Sequence, residues 1–186
     1  MWRSSDLQYG FKAKSTSHCT FVLLEVIDYY TNNDSSVFLV LLDASRPFDR
    51  VQYVKLFSLF IKRGLCSLIV RFLAYLYTNQ SLMVKWNGCY CCISNGAKQG
   101  AILSPILFFI CMDELLYKLK VSNVGCNVFL GGLGYADDLC LLSPNRGSMS
   151  IMLKICEEFS KEYDVVFNSS KSHLIIYDER RWYHYV

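Results

Sequence analysis

Two adjacent carboxylates, Asp137 and Asp138, close the string Tyr135-Ala136-Asp137-Asp138, with the glycine-rich FLGGLG before it and the apolar run Leu139 to Leu142 after it. An apolar segment that turns through Asp-Asp and returns to apolar residues predicts two short strands joined by a tight turn. Like charges held close at such a tip repel unless a cation sits between them. Hard oxygen donors favour Mg2+ or Mn2+ over zinc or copper. Aspartate also favours turns for local hydrogen-bonding reasons, so the turn alone leaves a purely structural reading open. A further carboxylate bears on that choice. The continuous apolar run from Val37 to Leu42, too short for most helices, predicts a buried strand that ends on Asp43. Set antiparallel beside the turn, that strand would bring Asp43 to Asp137 and Asp138 and form a cup for two divalent ions. Ions about 4 Å apart activate an attacking oxygen and stabilise the leaving oxygen of an in-line displacement. Phosphoryl or nucleotidyl transfer is the chemistry these residues predict.

The elements that must position this cup can be read from periodicity. Helical spacing of Phe21, Leu24 and Ile27 predicts a helix from about Ser17 to Tyr30, with Ser17 as its cap. The Asp43 strand follows. Helices are expected over roughly Phe48 to Lys62 and Ser67 to Tyr77, separated by Gly64 as a stop. Leu82 to Trp86 and Cys89 to Ile93, joined through Asn87-Gly88, predict a hairpin. A helix from about Ser104 to Lys120 leads to the Asp-Asp hairpin, and another from about Ser148 to Tyr163 leads to a last strand, Leu174 to Tyr177. Strands and helices mix without a regular alternation, which gives an α+β class.

Four ordered blocks resemble the reverse transcriptase domain of non-LTR (LINE-type, jockey-like) retrotransposons: QYGFKAKSTSHCTFVLLEVI, FLVLLDASRPFDRV, NGAKQGAILSPILFFICMDELL and LGYADDLCLLSP, with FNSSKSHLIIY following at the family's spacing. Telomerase-like and intron-maturase polymerases fit the wording of the blocks less well. The resemblance implies a right-hand polymerase palm with partial fingers, an antiparallel sheet packed on helices, and no thumb. It treats 1–186 as one domain, with 1–36 and about 50–100 as partial fingers and connecting helices, and 37–49 and 101–186 as palm. The implied function is RNA-directed DNA polymerase, with an RNA template, a DNA primer, a dNTP and Mg2+ or Mn2+. The alternative is an inactive remnant of such an element, inert or weakly binding nucleic acid.

The resemblance assigns residues one at a time. Asp43 and Asp137 take the place of the principal metal ligands, with Asp138 the less directly engaged third carboxylate. Phe48, five residues after Asp43, falls where the family places an aromatic against the 2′-hydroxyl of a ribonucleotide, although a core Phe would look the same. Gln99 and Gly100, followed by Ser104-Pro105, match the block that lies against the incoming nucleotide; Ser-Pro is also an ordinary helix start. Lys171 corresponds to the lysine proposed to protonate the leaving pyrophosphate, with a surface lysine in a serine-rich loop as the plain alternative. Lys12 and Lys14 fall where fingers present cations to the triphosphate, where they would offset developing charge. Departures from the pattern are a first block about one residue short, Arg46-Pro47 after Asp43, and Ala101 where a second glycine is common. Proline removes an amide donor, so Pro47 is harmless only if that amide is not needed. The match begins inside the fingers and stops soon after the last palm strand, which implies a truncated domain.

Composition bounds the rest. With 53% hydrophobic residues in 186, the chain can bury one sizeable core. The polar start MWRSSDLQYG offers no secretory signal, which points to an intracellular protein of cytoplasm or nucleus. The most apolar stretch, Ala101 to Met112, contains Pro105 and falls short of the ~20 residues of a membrane span, so it is expected to be a buried helix. Nine cysteines without paired finger spacing favour reduced, mostly buried thiols over a zinc site. A net charge of +3 permits nucleic-acid binding without requiring it.

Overall fold

A computed structural model describes residues 7–10, 16–45, 52–79, 82–86, 89–93, 103–126, 131–178 and 181–185. The elements in order are α1 (Thr16–Thr31), β1 (Val37–Leu42), β2 (Ala44–Ser45), α2 (Tyr53–Lys62), α3 (Ser67–Thr78), β3 (Leu82–Trp86), β4 (Cys89–Ile93), α4 (Leu103–Val121), β5 (Gly132–Tyr135), β6 (Asp138–Ser143), α5 (Arg146–Tyr163), β7 (Val166–Phe167), β8 (His173–Asp178) and β9 (Arg181–Tyr185).

Five of these strands form one antiparallel sheet in the order β5-β6-β1-β8-β9. Strand β1 is its centre. It pairs with β6 from Phe38↔Ser143 to Leu42↔Leu139 and with β8 from Val37↔Tyr177 to Leu41↔His173. Strands β1 and β6 carry packed side chains on both faces, which explains why β1 reads as unbroken apolar sequence rather than an alternation. Val40, Leu139 and Leu141 pack with Phe108, Met112 and Leu115 of α4 and Met152 and Phe159 of α5. On the opposite face Val37, Leu39, Leu133 and Leu142 meet Val26 and Ile27 of α1. The period of two along each strand thus sorts its residues between two cores. Strands β3 and β4 form a separate hairpin, and β2 pairs with β7 beside the main sheet.

Helix α4 carries the apolar stretch expected to be buried, and Leu107, Phe108, Met112, Leu115, Leu116 and Leu119 are all buried. Its neighbours are the sheet, α5 and α2, so it needs apolar residues on more than one side. Arg63, at the end of α2, reaches α4 through Glu114 at 3.0 Å and the buried Asp113 at 4.0 Å. Gly64 stops α2 as expected: its φ is +74°, the Leu65 amide donates to the Phe60 carbonyl and the Gly64 amide donates to the Ile61 carbonyl.

Three local expectations need correction. Helix α1 begins at Thr16, which places Ser17 inside the helix rather than at its cap. Helix α5 begins at Arg146 instead of Ser148, because the Asn145 side chain accepts the Ser148 amide at 2.8 Å and caps it two residues earlier. The last strand extends from Leu174–Tyr177 to His173–Asp178 and is followed by β9, which was not foreseen. Helix α2 is described from Tyr53 onward, and the expected start at Phe48 lies outside the described residues. Among the described residues no helix is long and apolar enough to cross a membrane. The six cysteines whose side chains are described are unpaired, and burial pushes the thiols of Cys111, Cys126 and Cys156 up to about 12, which leaves them inert at neutral pH.

Phe159 is fully buried and stacks on Tyr163 with ring centroids 4.6 Å apart. Phe159→Ala should cost about 3–5 kcal/mol, read as a lowered urea midpoint. A loss under about 1 kcal/mol would mean that α5 is not held to the sheet by this core.

Candidate active site

Two strand ends make the site. Asp43 directly follows β1, and one step beyond the Leu42↔Leu139 pair the register sets it opposite Asp138, the first residue of β6. Tyr135 pairs with Asp138, which leaves Ala136 and Asp137 as the two residues of the turn. Thus Asp43, Asp137 and Asp138, expected together from sequence, gather at one end of the sheet. The side chain of Asp43 is 30% exposed, and Asp138 lies exposed at the strand edge. Partial burial raises the Asp138 carboxyl above its ordinary 3.8, and the carboxylates of Asp137 and then Asp43 raise it further. Burial leads, and the two neighbouring carboxylates push in the same direction because like charges disfavour ionisation.

The donor set suits a hard divalent cation: carboxylate oxygens that repel one another and are open to solvent. Among the described residues no three acidic, histidine or cysteine side chains stand in ready ligand geometry, so the carboxylates would have to turn toward a shared ion. A cation shared by these carboxylates would offset the like charges that Asp137 and Asp43 set beside Asp138.

Lys171 lies beside the cup, its Nζ 4.0 Å from Oδ2 of Asp43 and its side chain 67% exposed. Its position depends on a residue that sequence reasoning passed over. The Asn168 amide donates to the Asp43 carbonyl at 2.8 Å. Oδ1 of Asn168 accepts from the Ser170 amide and hydroxyl, and the Asn168 carbonyl accepts from the Lys171 amide and the Ser172 hydroxyl. Asn-Ser-Ser is the composition of such a side-chain-closed turn, so the signal was present. A cavity of about 330 Å³ opens beside the carboxylates, lined by Leu23 of α1, Leu41, Cys140 and Tyr135 together with Asp43 and Asp138.

The second residue missed is Gln8. It is fully buried at the outer edge of β5, where the Tyr9 amide donates to the Gly134 carbonyl and the Gly134 amide to the Leu7 carbonyl. Its Oε1 accepts the Ala136 amide at 3.2 Å and the Gly10 amide at 3.1 Å, and its Nε2 faces the Ala136 carbonyl at 3.4 Å. A second strut joins the Thr16 and Tyr135 hydroxyls at 2.8 Å. These contacts also explain the glycines before the turn. A Cβ on Gly134 would stand 3.0 Å from Nε2 of Gln8 and 3.2 Å from Leu116, and one on Gly10 only 2.3 Å from the Ala136 nitrogen.

Ser104 and Pro105 fall in the first turn of α4. Lys12, Lys14, Phe48, Gln99 and Gly100 lie outside the described residues, as do Arg46, Pro47, Asn87, Gly88 and Ala101.

Residues 3–185 match the family described as reverse transcriptase (RNA-dependent DNA polymerase). The Retrovirus-related Pol polyprotein from type-1 retrotransposable element R2 of Nasonia vitripennis is 27% identical over 145 residues, 75% of this chain and 14% of that protein. The corresponding R2DM polyprotein of Drosophila melanogaster is 27% identical over 142 residues, 73% of this chain and 13% of that protein. The chain therefore spans about one seventh of the curated relatives it matches. Among solved structures, apo telomerase from Candida tropicalis, truncated from its C-terminal domain, superposes with a TM-score of 0.65 at 15% identity, covering 91% of this chain and 36% of that one. Telomerase from Candida tropicalis in complex with a TWJ fragment of telomeric RNA gives 0.68 at 15% identity, covering 91% and 30%. At such identity the likeness is one of fold.

The raised carboxyl sets a pH dependence. A carboxyl whose folded pKa lies above its unfolded one favours the fold while protonated, and that contribution is lost as pH rises through the folded value. Asp138→Asn should therefore match the parent's stability near pH 4 and exceed it increasingly toward about pH 7 in metal-free buffer. Urea midpoints across that range, with and without Mn2+, measure it. A difference that stayed flat with pH would mean that neither burial nor the neighbouring carboxylates disfavour the charged form of Asp138 in the fold.

Proposed function

Because the chain belongs to the reverse transcriptase (RNA-dependent DNA polymerase) family, with relatives in R2 retrotransposons, we propose that its carboxylate end performs RNA-directed DNA synthesis. A primer 3′-hydroxyl attacks the α-phosphate of a deoxynucleoside triphosphate paired to an RNA template, and pyrophosphate leaves. The observation that carries this reading is the pairing of β1 with β6, which sets Asp43 opposite Asp138 at the tip where the family's motif stands.

Members of this family use divalent ions, and Mg2+ or Mn2+ bound here would make the hydroxyl a better nucleophile and offset charge on the leaving oxygen. Asp43 and Asp137 are the proposed principal ligands, with Asp138 beside them. Lys171, whose Nζ lies 4.0 Å from Oδ2 of Asp43, is the proposed proton donor to the departing pyrophosphate. The remaining roles rest on sequence register. Lys12 and Lys14 bind the triphosphate, Phe48 excludes a 2′-hydroxyl, and Gln99 and Gly100 lie along the incoming nucleotide and template. Grip on the nucleic-acid backbone is salt-dependent, so low salt is the regime in which this chain should act best.

The test is single-nucleotide extension of a labelled oligo(dT) primer on poly(rA) at low ionic strength with Mg2+ or Mn2+. Incorporation by the parent that falls to background in Asp43→Ala and Asp137→Ala supports the reading. Incorporation that persists in both variants, or is absent from a folded parent that binds the primer-template, overturns it. In the same assay Phe48→Ala should raise the ratio of ribonucleotide to deoxynucleotide incorporation, because a steric gate works by clash. An unchanged ratio with activity retained would return Phe48 to a packing role.

A further inference from the structure

We propose that Gln8 is a positioning residue for the Tyr135-Ala136-Asp137-Asp138 turn, acting on the carboxylates through the Ala136 backbone; the inference rests on the polymerase reading of that turn. Ala136 has φ = +58°, in the left-handed region, although it carries a side chain. A non-glycine residue there costs about 1–3 kcal/mol and persists only where its surroundings over-determine it. Gln8 supplies that determination from 128 residues away in sequence.

One planar side-chain amide faces both peptide units that flank Ala136. Its oxygen takes the Ala136 N–H, which fixes the unit shared with Tyr135, and its nitrogen faces the Ala136 carbonyl, which belongs to the unit that carries the Asp137 nitrogen. The orientation of that second unit sets the direction in which the Asp137 side chain leaves the backbone. Gln8 cannot drift, because Leu7 and Tyr9 on either side of it bond the Gly134 backbone and its own oxygen is also held by the Gly10 amide. Gly10 lies too close to the Ala136 nitrogen for any Cβ, so the strap is seated directly on the turn. A buried glutamine with these partners has a task that an apolar residue of the same volume could not perform.

Groups that bond metal ligands directly typically change metal affinity or activity by about 10–100-fold when removed; Gln8 acts one residue further out, through the Ala136 backbone, so the low end of that range is expected. Gln8→Met keeps the volume and removes the amide. In the whole chain, hydrogen exchange of the turn amides at 135–138 should then accelerate at least about tenfold, and Mn2+ affinity should fall by about the same factor. Leu59→Ala, in the buried face of α2 away from the turn, serves as a control of comparable destabilisation. It should leave both readouts unchanged at temperatures where the fold is intact. Mn2+ binding that Asp137→Ala abolishes but Gln8→Met spares, or losses in Gln8→Met that Leu59→Ala reproduces, overturn the role of Gln8 alone. Mn2+ binding indifferent to Asp137→Ala overturns the reading of the turn, and the role of Gln8 with it.

Discussion

Repulsion among Asp43, Asp137 and Asp138 is the constraint around which the sheet is built, and the sheet is strong enough to impose it. Unit charges 4 Å apart near a protein surface repel by about 4 kcal/mol, and by about 1 kcal/mol in open water. Each buried aliphatic side chain contributes roughly 1.5–3 kcal/mol. Strand β1 alone buries Val37, Leu39 and Val40, and its partner β6 buries Leu139, Leu141 and Leu142. Burial on both faces thus outweighs the crowding of charge at the strand ends. Because a one-residue slip would turn β1 inside out between the two cores, the register that opposes Asp43 to Asp138 is fixed by packing.

Much of this was legible in the sequence, for reasons that are local. Asn87-Gly88 between apolar runs is a turn chemistry with few alternatives, and strands β3 and β4 have the bounds it implied. Gly64 stops α2 because only a residue tolerant of positive φ ends a helix in that way. The Asp43 strand was visible because six apolar residues in a row fit a strand covered on both faces. What escaped was long-range or backbone-borne. Gln8 acts on peptide groups 128 positions later, and no spacing rule connects the two. Strands β2 and β7 are two residues each, too short for any periodicity. Strand β9 carries polar and aromatic residues whose strand character comes from pairing with β8.

The superposition on telomerase at 15% identity shows that this fold is reached by very different sequences. The frame survives as a pattern of faces rather than as particular residues, since volume and polarity suffice to fill a core. The glycines around β5 are different. Gly10 is set by backbone approaching backbone, where a Cβ would stand 2.3 Å from the Ala136 nitrogen, and a Cβ at Gly134 would press on the side chains of Gln8 and Leu116 at 3.0 and 3.2 Å.

The central place of β1 also decides when the site can exist. Its hydrogen-bonding neighbours are residues 138–143 and 173–178, so during synthesis the strand leaves the ribosome long before either partner is made. Long-range pairing of this kind folds slowly, and a six-residue apolar strand without charge or proline is an aggregation hazard while it waits. Helix α1, which precedes β1 and packs on it in the finished fold, is available early and can shield one face. The other face is completed only when α4 and α5 emerge, which supply most of the core on that side.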